Sequence, residues 1–416
     1  MNTNKKEIWF INKDCGPIEE NGTFVRTVKQ AQFFQEKGYS VKVVCSNHIH
    51  NSELVHATKG GHSVEICDGV PFLFIKSPGY KSNGVKRIFS YLVFSLKLFC
   101  LKNKELSHPD IIVHTPRIPF DGLIFNYAKR IKAEYIADVV DLWPLEMEHF
   151  GMLKPNNPLL QWFYSMERKR YTKADKVVFS QEGYISYLKD KGWLKEQGGP
   201  IGLDKTIYIN NGIDLQEFDG FLSKYSIDDK DLEDKQTFKV VYLGSIRLAN
   251  HLDTLLDAAK HLMDYSNIRI LIYGDGFERA KLEQRVREEG ISNVIFKQKW
   301  IEPQYVPYVL TNANVNLLNY AANWAPYGGS MNKMMLSFAS GRPIVCNAGM
   351  KYSPIRDNIL GIDRDFKTDQ EYADAILSIY NLPPEEYNAM CQRTRHVAQE
   401  FDMPVLCQKF KDFCRL

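Results

Sequence analysis

Three glycine turns in the second half of the sequence have the residue types expected around a phosphate group. They are Tyr242-Leu243-Gly244-Ser245, Ile272-Tyr273-Gly274-Asp275-Gly276 and Tyr327-Gly328-Gly329-Ser330. Glycine lets the backbone approach a ligand closely, and each turn precedes a predicted helix, whose N-terminus offers N–H groups and partial positive charge. We therefore expect one phosphorylated ligand here, with plain turn geometry as the alternative for each turn. The predicted contacts are Gly244, Gly274, Asp275, Gly276, Gly329 and Ser330.

Three further side chains could act on such a ligand or on the reacting group. Lys333 lies at the start of a predicted helix, where its charge suits a phosphate, unless it is a solvated lysine. His114 follows a predicted strand and suits hydroxyl binding or acid–base assistance, unless it is a satisfied histidine under a loop. Asp141 follows the next strand and could accept a hydroxyl proton, or simply cap a turn.

The elements that must position these residues alternate between short strands and helices. Such alternation is typical of parallel βαβ units. In the first half we predict strands at Ile8–Asn12, Val41–Cys45, Ile111–His114, Tyr135–Val140, Lys176–Ser180 and Ile207–Asn210. The second half repeats the pattern at Phe238–Leu243, Ile268–Tyr273, Val294–Phe296, Val315–Leu318 and Pro343–Cys346. We predict an α/β protein with two doubly wound parallel-sheet domains, which bind ligands at the carboxyl ends of their strands.

The domain boundaries follow from shifts in composition. We place an N-terminal domain at 1–212, a polar and acidic linker at 213–236 and a C-terminal domain at 237–395. Residues 396–416 are predicted to form a final helix that packs back on the N-terminal domain.

Composition excludes several classes of protein. With 416 residues the chain exceeds the size of a single core. Lys and Arg number 53 against 50 Asp and Glu, a net charge of +3 that is too small to indicate nucleic acid as a partner. Eight scattered cysteines favour a reducing compartment, and they form neither a disulfide framework nor a zinc site. We expect no metal.

One apolar stretch raises the question of a membrane. Ile88–Leu101 is too short to span a bilayer, and no secretory signal precedes it. The basic residues that flank it make Lys86–Lys102 a candidate for contact with an anionic membrane surface; a helix packed under the N-terminal domain is the alternative. We expect a cytoplasmic protein that can rest peripherally at the inner face of the membrane.

An ordered set of short motifs resembles the family-4 glycosyltransferases. The segments are Asn210-Asn211-Gly212-Ile213-Asp214, the turns at Gly244 and Gly274, Gly341-Arg342-Pro343-Ile344 and Gly38-Tyr39-Ser40-Val41. Asp138-Val139-Val140-Asp141-Leu142-Trp143-Pro144 is similar to the L-fucosamine-type transferases of O-antigen and capsule assembly. The resemblance implies a GT-B fold with two facing Rossmann-like domains and a nucleotide-sugar donor, UDP-linked, in the C-terminal domain. It also implies transfer with retention of configuration and without a metal.

The sequence departs from that family at its charged positions. Ser245 and Asn250 stand where the family has an arginine and a lysine that grip the diphosphate. Arg247 is the nearest cation in the same loop and becomes the predicted contact, unless it is a surface arginine. Gly328 and Leu336 replace the family's pair of glutamates, which leaves the ribose contact open.

The resemblance also assigns roles in the first half. His114 corresponds to the family's histidine near the donor sugar. Gly22 lies in the loop that covers the donor phosphates, and Arg26 follows it on a helix. The alternatives are an ordinary loop and a surface arginine.

The leading interpretation is a glycosyltransferase that moves a sugar from a nucleotide-diphosphate donor to a hydroxyl of a glycan or lipid-linked saccharide in surface polysaccharide biosynthesis. A nucleotide-sugar 2-epimerase is the alternative enzyme of the same architecture. That class lacks two of the motifs seen here, Asn211-Gly212-Ile213-Asp214 and Asp141-Leu142-Trp143-Pro144. A transferase-like binding subunit without turnover stays open because of Leu336. A dinucleotide dehydrogenase is disfavoured, since no G-x-G-x-x-G follows the first strand.

Overall fold

The chain forms two compact units, each built around its own β-sheet. The computed structural model describes residues 5–20, 25–49, 54–80, 84–101, 106–117, 119–149, 151–320 and 326–416. The first unit comprises Met1–Asn210 with Cys407–Leu416, and the second comprises Asn211–Leu406. The predicted α/β class with two parallel-sheet domains is confirmed.

The sheet of the first unit has eight strands in the order β3-β4-β2-β1-β5-β6-β7-β8. Its strands are β1 (Glu7–Ile11), β2 (Ser40–Ser46), β3 (His62–Cys67), β4 (Val70–Ile75), β5 (Ile111–His114), β6 (Glu134–Val139), β7 (Lys176–Phe179) and β8 (Thr206–Tyr208). All neighbours pair in parallel except β3, which runs antiparallel to β4. The central strand β1 is buried along its whole length, and the apolar run that follows Glu7 is typical of a strand inside a parallel sheet.

Helices connect these strands. They are α1 (Val25–Glu36), α2 (Val85–Phe99), α3 (Gly122–Ile131), α4 (Trp143–His149), α5 (Pro158–Lys173) and α6 (Tyr184–Asp190). In the described part of the chain, no helix combines the length and apolar character needed to cross a membrane.

The second unit has a six-stranded, fully parallel sheet in the order β11-β10-β9-β12-β13-β14. Its strands are β9 (Phe238–Leu243), β10 (Ile268–Tyr273), β11 (Val294–Phe296), β12 (Val315–Leu318), β13 (Ile344–Cys346) and β14 (Gly361–Asp363). The order reverses between β9 and β12, and ligands bind at such a switch point in doubly wound sheets.

Ten helices complete the described part of the chain, from α7 to α16. They are α7 (Leu215–Lys224), α8 (Lys230–Glu233), α9 (Leu252–His261), α10 (Arg279–Glu288), α11 (Val306–Thr311), α12 (Asn332–Ser340), α13 (Pro354–Asp357), α14 (Asp369–Tyr380), α15 (Pro384–Glu400) and α16 (Met403–Cys414). One core cluster of the second unit joins α9 and α14 to the sheet, and another joins α12 and α15.

The predicted linker at 213–236, whose residues 223–236 were expected to form an exposed loop, is folded in the structure. It forms α7 and α8, which bury Leu215, Phe218 and Leu232 in the second unit. Asp229 accepts a hydrogen bond from Tyr273 Oη at 2.8 Å, which fastens the segment to β10. The acidic residues mask an apolar spacing that is sufficient for two short helices.

The end of the chain also differs from the predicted bounds. α15 continues to Glu400 within the second unit, and α16 begins only at Met403. The part of α16 that belongs to the first unit starts at Cys407.

Candidate functional site

The two glycine turns that follow β9 and β10 pack directly against each other. Gly244, Gly274 and Gly276 have φ values of 151°, 125° and 157°, which L side chains rarely adopt. A Cβ atom on Gly274 would overlap the carbonyl oxygen of Gly244, and one on Gly276 would overlap that of Ile246. Glycine is therefore required at these positions by the close contact between the turns.

The amides of these turns are already used within the fold. The Gly244 amide donates to Tyr273 O at 3.0 Å and the Gly274 amide to Gln298 O at 2.9 Å. The Gly276 amide donates to Asp275 Oδ1 at 2.9 Å. These hydrogen bonds argue against the predicted phosphate contacts of Gly244, Gly274 and Gly276 through their amides, and they give Asp275 a role in shaping its own turn. The groups that bind a phosphate at these turns must therefore come from side chains.

Lys333 brings a positive charge to the first glycine turn from a different element. It stands in the first turn of α12, and a Cβ on Gly244 would overlap its Nζ atom. The ammonium donates to Tyr242 Oη at 3.1 Å, and this hydroxyl donates to Ser245 O at 2.6 Å. Burial, with the nearby charge of Arg247, lowers the pKa of Lys333 to about 8.

Arg247 lies exposed in the loop after the same turn. The charge of Arg247 acts on Lys333, and neither cation forms an ion pair with a residue that the structure describes. Their mutual repulsion is relieved by a bound anion, and a diphosphate offers charge to both. Lys333 and Arg247, both predicted to contact a diphosphate, therefore act at the same glycine turn.

Ser330 anchors the start of α12. Its Oγ accepts from the Asn211 amide at 3.3 Å and its carbonyl from Asn211 Nδ2 at 3.1 Å, while Gly329 beside it is buried. Gly328 has a φ of 92°. Leu336 packs against the core cluster of α12 and α15, so that helix position carries an apolar contact in place of a carboxylate.

In the first unit, the exits of three adjacent strands carry an acid, a base and an acid. Asp14 follows β1, Arg117 follows β5 and Asp141 follows β6. Asp14 is fully buried and accepts hydrogen bonds from Tyr80 Oη at 3.0 Å, Arg87 at 2.9 Å and Tyr91 Oη. Asp14 therefore serves to fix α2 against the strand exit.

Asp141 is the accessible member of this row. Arg117 Nη2 donates to Asp141 Oδ2 at 2.6 Å, and the Asp141 side chain is 29% exposed. Burial and the charge of Asp141 raise the pKa of the nearby Glu146 to about 8, against the opposing charge of Arg117. A carboxylate and a neutral carboxylic acid at one edge of a sheet can accept and donate hydrogen bonds to a hydroxyl. Neither Arg117 nor Glu146 was predicted from the sequence, although both follow predicted strand ends.

Two predicted residues of the first unit are buried in internal contacts. His114 Nδ1 lies 2.7 Å from Tyr135 Oη, and burial together with Arg170 holds the pKa of His114 well below its usual range. This geometry favours the alternative of a satisfied histidine. Arg26 forms a buried ion pair with Asp138 at 3.0 Å and donates to Asn210 O. Its guanidinium is thus committed within the first unit, which corrects both its predicted phosphate contact and the alternative of a surface arginine.

Two other expectations have a simple outcome. Gly22 lies outside the described residues. Across the described ranges, no group of three or more metal-binding side chains comes together; that the reaction needs no metal stays a prediction.

Comparison with known proteins gives this arrangement a class. Residues 223–397 match the family model described as glycosyl transferases group 1. No curated protein matches the sequence. Among solved structures, the chain is similar to sucrose-phosphate synthase from Thermosynechococcus elongatus, with 15% identity, 99% and 98% of the two chains covered and a TM-score of 0.72. It is also similar to Anabaena HepE in complex with UDP and glucose, with 13% identity, 99% of each chain covered and a TM-score of 0.64. A third is WaaG, a glycosyltransferase involved in lipopolysaccharide biosynthesis, with 15% identity, 97% and 98% covered and a TM-score of 0.65.

The fold is thus GT-B, with two Rossmann-like units. Residues 223–397 of the second unit match the glycosyl transferases group 1 domain, and this domain supports a transferase enzyme.

Proposed function

We propose that this enzyme transfers a sugar from a UDP-linked donor to a hydroxyl of a glycan or lipid-linked saccharide. The observation that carries the donor half is the pairing of Lys333 and Arg247 over the Gly244 turn. The two cations have no counter-ion among the described residues, and Lys333 is already partly desolvated. A diphosphate supplies the missing charge, and the cations stabilise it as the leaving group.

The position of Lys333 explains how the site works without the usual cations. Ser245 and Asn250 hydrogen-bond to each other at 3.3 Å and carry no charge. Lys333 reaches the same turn from α12 instead. We infer that the charge on the diphosphate is met from a different element while the glycine turns keep their shape.

The nucleotide is proposed to be uridine diphosphate. HepE was solved with UDP and glucose, and the pneumococcal O-GlcNAc transferase GtfA with UDP and GlcNAc. The shared fold makes UDP the first nucleotide to test, while the donor sugar is left to experiment.

The acceptor half of the proposal rests on Asp141. It accepts a hydrogen bond from Arg117 and its side chain is partly exposed, so it is placed to accept the proton of an attacking hydroxyl. We propose that transfer proceeds with retention of configuration, in the manner of the L-fucosamine-type transferases that the segment Asp138–Pro144 resembles, and that the product belongs to a surface polysaccharide such as an O-antigen or capsule.

One face of α2 is apolar and exposed, which supports the proposal of a lipid-linked acceptor. Val85 and Phe89 are 82% and 55% exposed, Ile88 and Leu96 are exposed beside them, and Lys86 and Lys97 lie on the same stretch. Arg87 and Tyr91, on the opposite side, hold Asp14. An apolar face with lysines suits an anionic membrane interface, and we propose peripheral membrane contact through Lys86–Lys102.

Calorimetric titration with UDP, ADP and GDP tests the donor site, and we expect UDP to bind most tightly. The absence of binding by any nucleoside diphosphate would refute the proposal. A screen of UDP-sugars with lipid-linked acceptors then tests transfer. Formation of the 2-epimer from UDP-N-acetylglucosamine without an acceptor would indicate an epimerase, and binding without turnover would indicate a non-catalytic subunit.

A further inference from the structure

The second unit contains a cavity whose lining includes none of the residues of the glycine turns. Its volume is about 430 Å³, within the range of pockets that hold small organic ligands. One wall is the start of α9, with His251, Thr254 and Asp257. Tyr320 and Asn347, which follow β12 and β13, and the segment from Asp365 to Tyr372 form the rest.

Each carboxylate of this cavity lies close to a basic side chain. Asp257 pairs with Arg285, Asp365 with Lys367, and Asp369 Oδ2 lies 2.9 Å from His261 Nε2. Carboxylate oxygens are strong hydrogen-bond acceptors. The lining of this cavity therefore differs in chemistry from the site around Lys333.

The remaining side chains that line the cavity include aromatic and polar ones. The rings of Phe366 and Tyr372 stack at 4.7 Å with an interplanar angle of 13°. Thr254 and Asn347 add a hydroxyl and an amide. Aromatic rings favour contact with weakly positive C–H groups, while carboxylate and amide oxygens accept from hydroxyls. A ligand with C–H faces and several hydroxyls is a sugar ring.

The wall of the cavity is fixed before any ligand binds. Asn347 Oδ1 accepts from the Tyr320 amide at 2.7 Å, and Tyr372 Oη donates to Asn319 Oδ1 at 2.6 Å. A preformed wall lowers the entropic cost of binding.

We propose that this cavity binds a neutral glycosyl unit, separately from the nucleotide. The inference rests on the proposed function in that a glycan substrate would present such a unit, but binding here does not involve Lys333, Arg247 or the glycine turns. A glycan already bound through one of its sugars would be held on the enzyme between successive transfers.

Ligand-observed saturation-transfer NMR on the full chain, saturated with UDP, tests the proposal with methyl α-D-glucopyranoside, methyl α-D-galactopyranoside and methyl N-acetyl-β-D-glucosaminide as probes. We expect signal from at least one glycoside at millimolar concentration, and no displacement of it by inorganic phosphate. Thr254→Phe fills the cavity and should weaken glycoside binding at least tenfold. Asp253→Phe, on the exposed side of the same helix turn, is the matched control and should bind as the wild type does.

Asp369→Asn removes one acceptor charge with little change in shape and should weaken binding several-fold, which keeps the test valid if Thr254→Phe does not fold. Equal glycoside signals in Thr254→Phe and wild type, or no signal in a wild type that binds UDP, would overturn the proposal. Failure to bind UDP, with glycoside binding intact, would instead overturn the proposed function and leave the cavity proposal standing.

Discussion

At the scale of single residues, the lowered pKa of Lys333 connects the stability of the fold with the binding of an anionic ligand. An ordinary lysine titrates near 10.5, and Lys333 titrates near 8 because it is buried beside Arg247. Keeping it charged at neutral pH therefore costs about 3 kcal/mol of folding free energy. A bound diphosphate offsets much of this free-energy cost, because opposite charge favours the protonated lysine.

Substituting Lys333→Met should weaken UDP binding at pH 7 roughly 10- to 100-fold, since a hydrogen bond to a charged group contributes about 1.5–3 kcal/mol. In the wild type, UDP affinity should fall as the pH rises from about 8 to 10. The complex holds the lysine proton in this window and the free protein releases it. Calorimetric titration with UDP at several pH values measures both effects.

Lys281→Met is the control for the loss of a charge, because the Lys281 side chain is 74% exposed. It should leave the affinity and its pH dependence unchanged. The free wild-type protein should also gain stability between pH 8 and 10.5, where the unfolded chain binds the extra proton, and Lys333→Met should lose this gain. A Lys333→Met variant that keeps the wild-type decline of affinity with pH would assign that decline to another group.

The residues that could be predicted from the sequence are those fixed by backbone position. Spacing alone placed the glycines, Lys333 and Asp141 at strand exits and helix starts. Burial and pairing are set by distant parts of the chain, so the ion pair of Arg26 with Asp138 and the enclosure of His114 by Tyr135 could not be predicted. Arg117 was missed because its importance depends on Asp141, 24 residues away.

At the scale of elements, the glycine turns need their backbone shape more than their amides. Gly274→Ala should destabilise the protein by at least about 1–3 kcal/mol, because the new Cβ overlaps Gly244 O in a conformation that alanine rarely adopts. It should also weaken UDP binding by shifting the Gly244 turn beneath Lys333. Urea unfolding and UDP titration measure the two losses.

Gly290→Ala is the control that separates the effect of backbone strain from the effect of steric overlap by the added Cβ atom. Gly290 also has a positive φ, 65°, but a Cβ there would meet nothing within 4 Å. This variant should lose about 1 kcal/mol of stability, with UDP affinity unchanged. Equal losses of UDP affinity in both variants would mean that contact between the two turns does not shape the site.

The two faces of α2 allow a test of membrane contact. Val85→Ser with Phe89→Ser removes two exposed apolar side chains and no internal contact of Arg87 or Tyr91. Partition onto phosphatidylglycerol vesicles should fall at least tenfold, since burying such side chains contributes about 1.5–3 kcal/mol each. Sedimentation with vesicles measures it, and Phe277→Ser, 97% exposed in the second unit, should have no effect. Wild-type protein that stays in the supernatant would contradict the proposal.

Most strands of both sheets were predicted, but β3, β4 and β14 were not. The strand β3 lacks a clear apolar pattern because it is an antiparallel edge strand in which Val64 and Ile66 are exposed. The strand β4 was missed although it is apolar and buried. Asp68 and Gly69, with φ values of 51° and 75°, form the hairpin turn between them. This Asp-Gly pair is a strong hairpin signal, and it is the observation that could have found both strands.

At the scale of the whole molecule, the sequence predicted two domains divided near residue 212 and a final helix that packs on the first of them, but it placed the start of that last segment too early. Two rounds of strand–helix alternation predicted two sheets. The first unit takes its last segment from the far end of the chain, and this segment is Cys407–Leu416. Which residues of a terminal helix join which core depends on tertiary packing, and the apolar spacing of α16 is compatible with either.

Phe410 makes the contribution of that last segment measurable. Its side chain is fully buried in the first unit, with its ring edge-on to Phe34 at a centroid distance of 6.0 Å. Phe410→Ala should therefore cost about 3–5 kcal/mol of stability through the cavity it leaves. Since the proposed donor site lies in residues 211–406, UDP affinity measured well below the unfolding temperature should stay within twofold of wild type. Asp412→Ala, exposed on the same helix, should change stability by less than about 0.5 kcal/mol. A loss of UDP affinity in Phe410→Ala comparable to that of Lys333→Met would show that nucleotide binding depends on the packing of the first unit, contrary to a donor site built within the second unit alone.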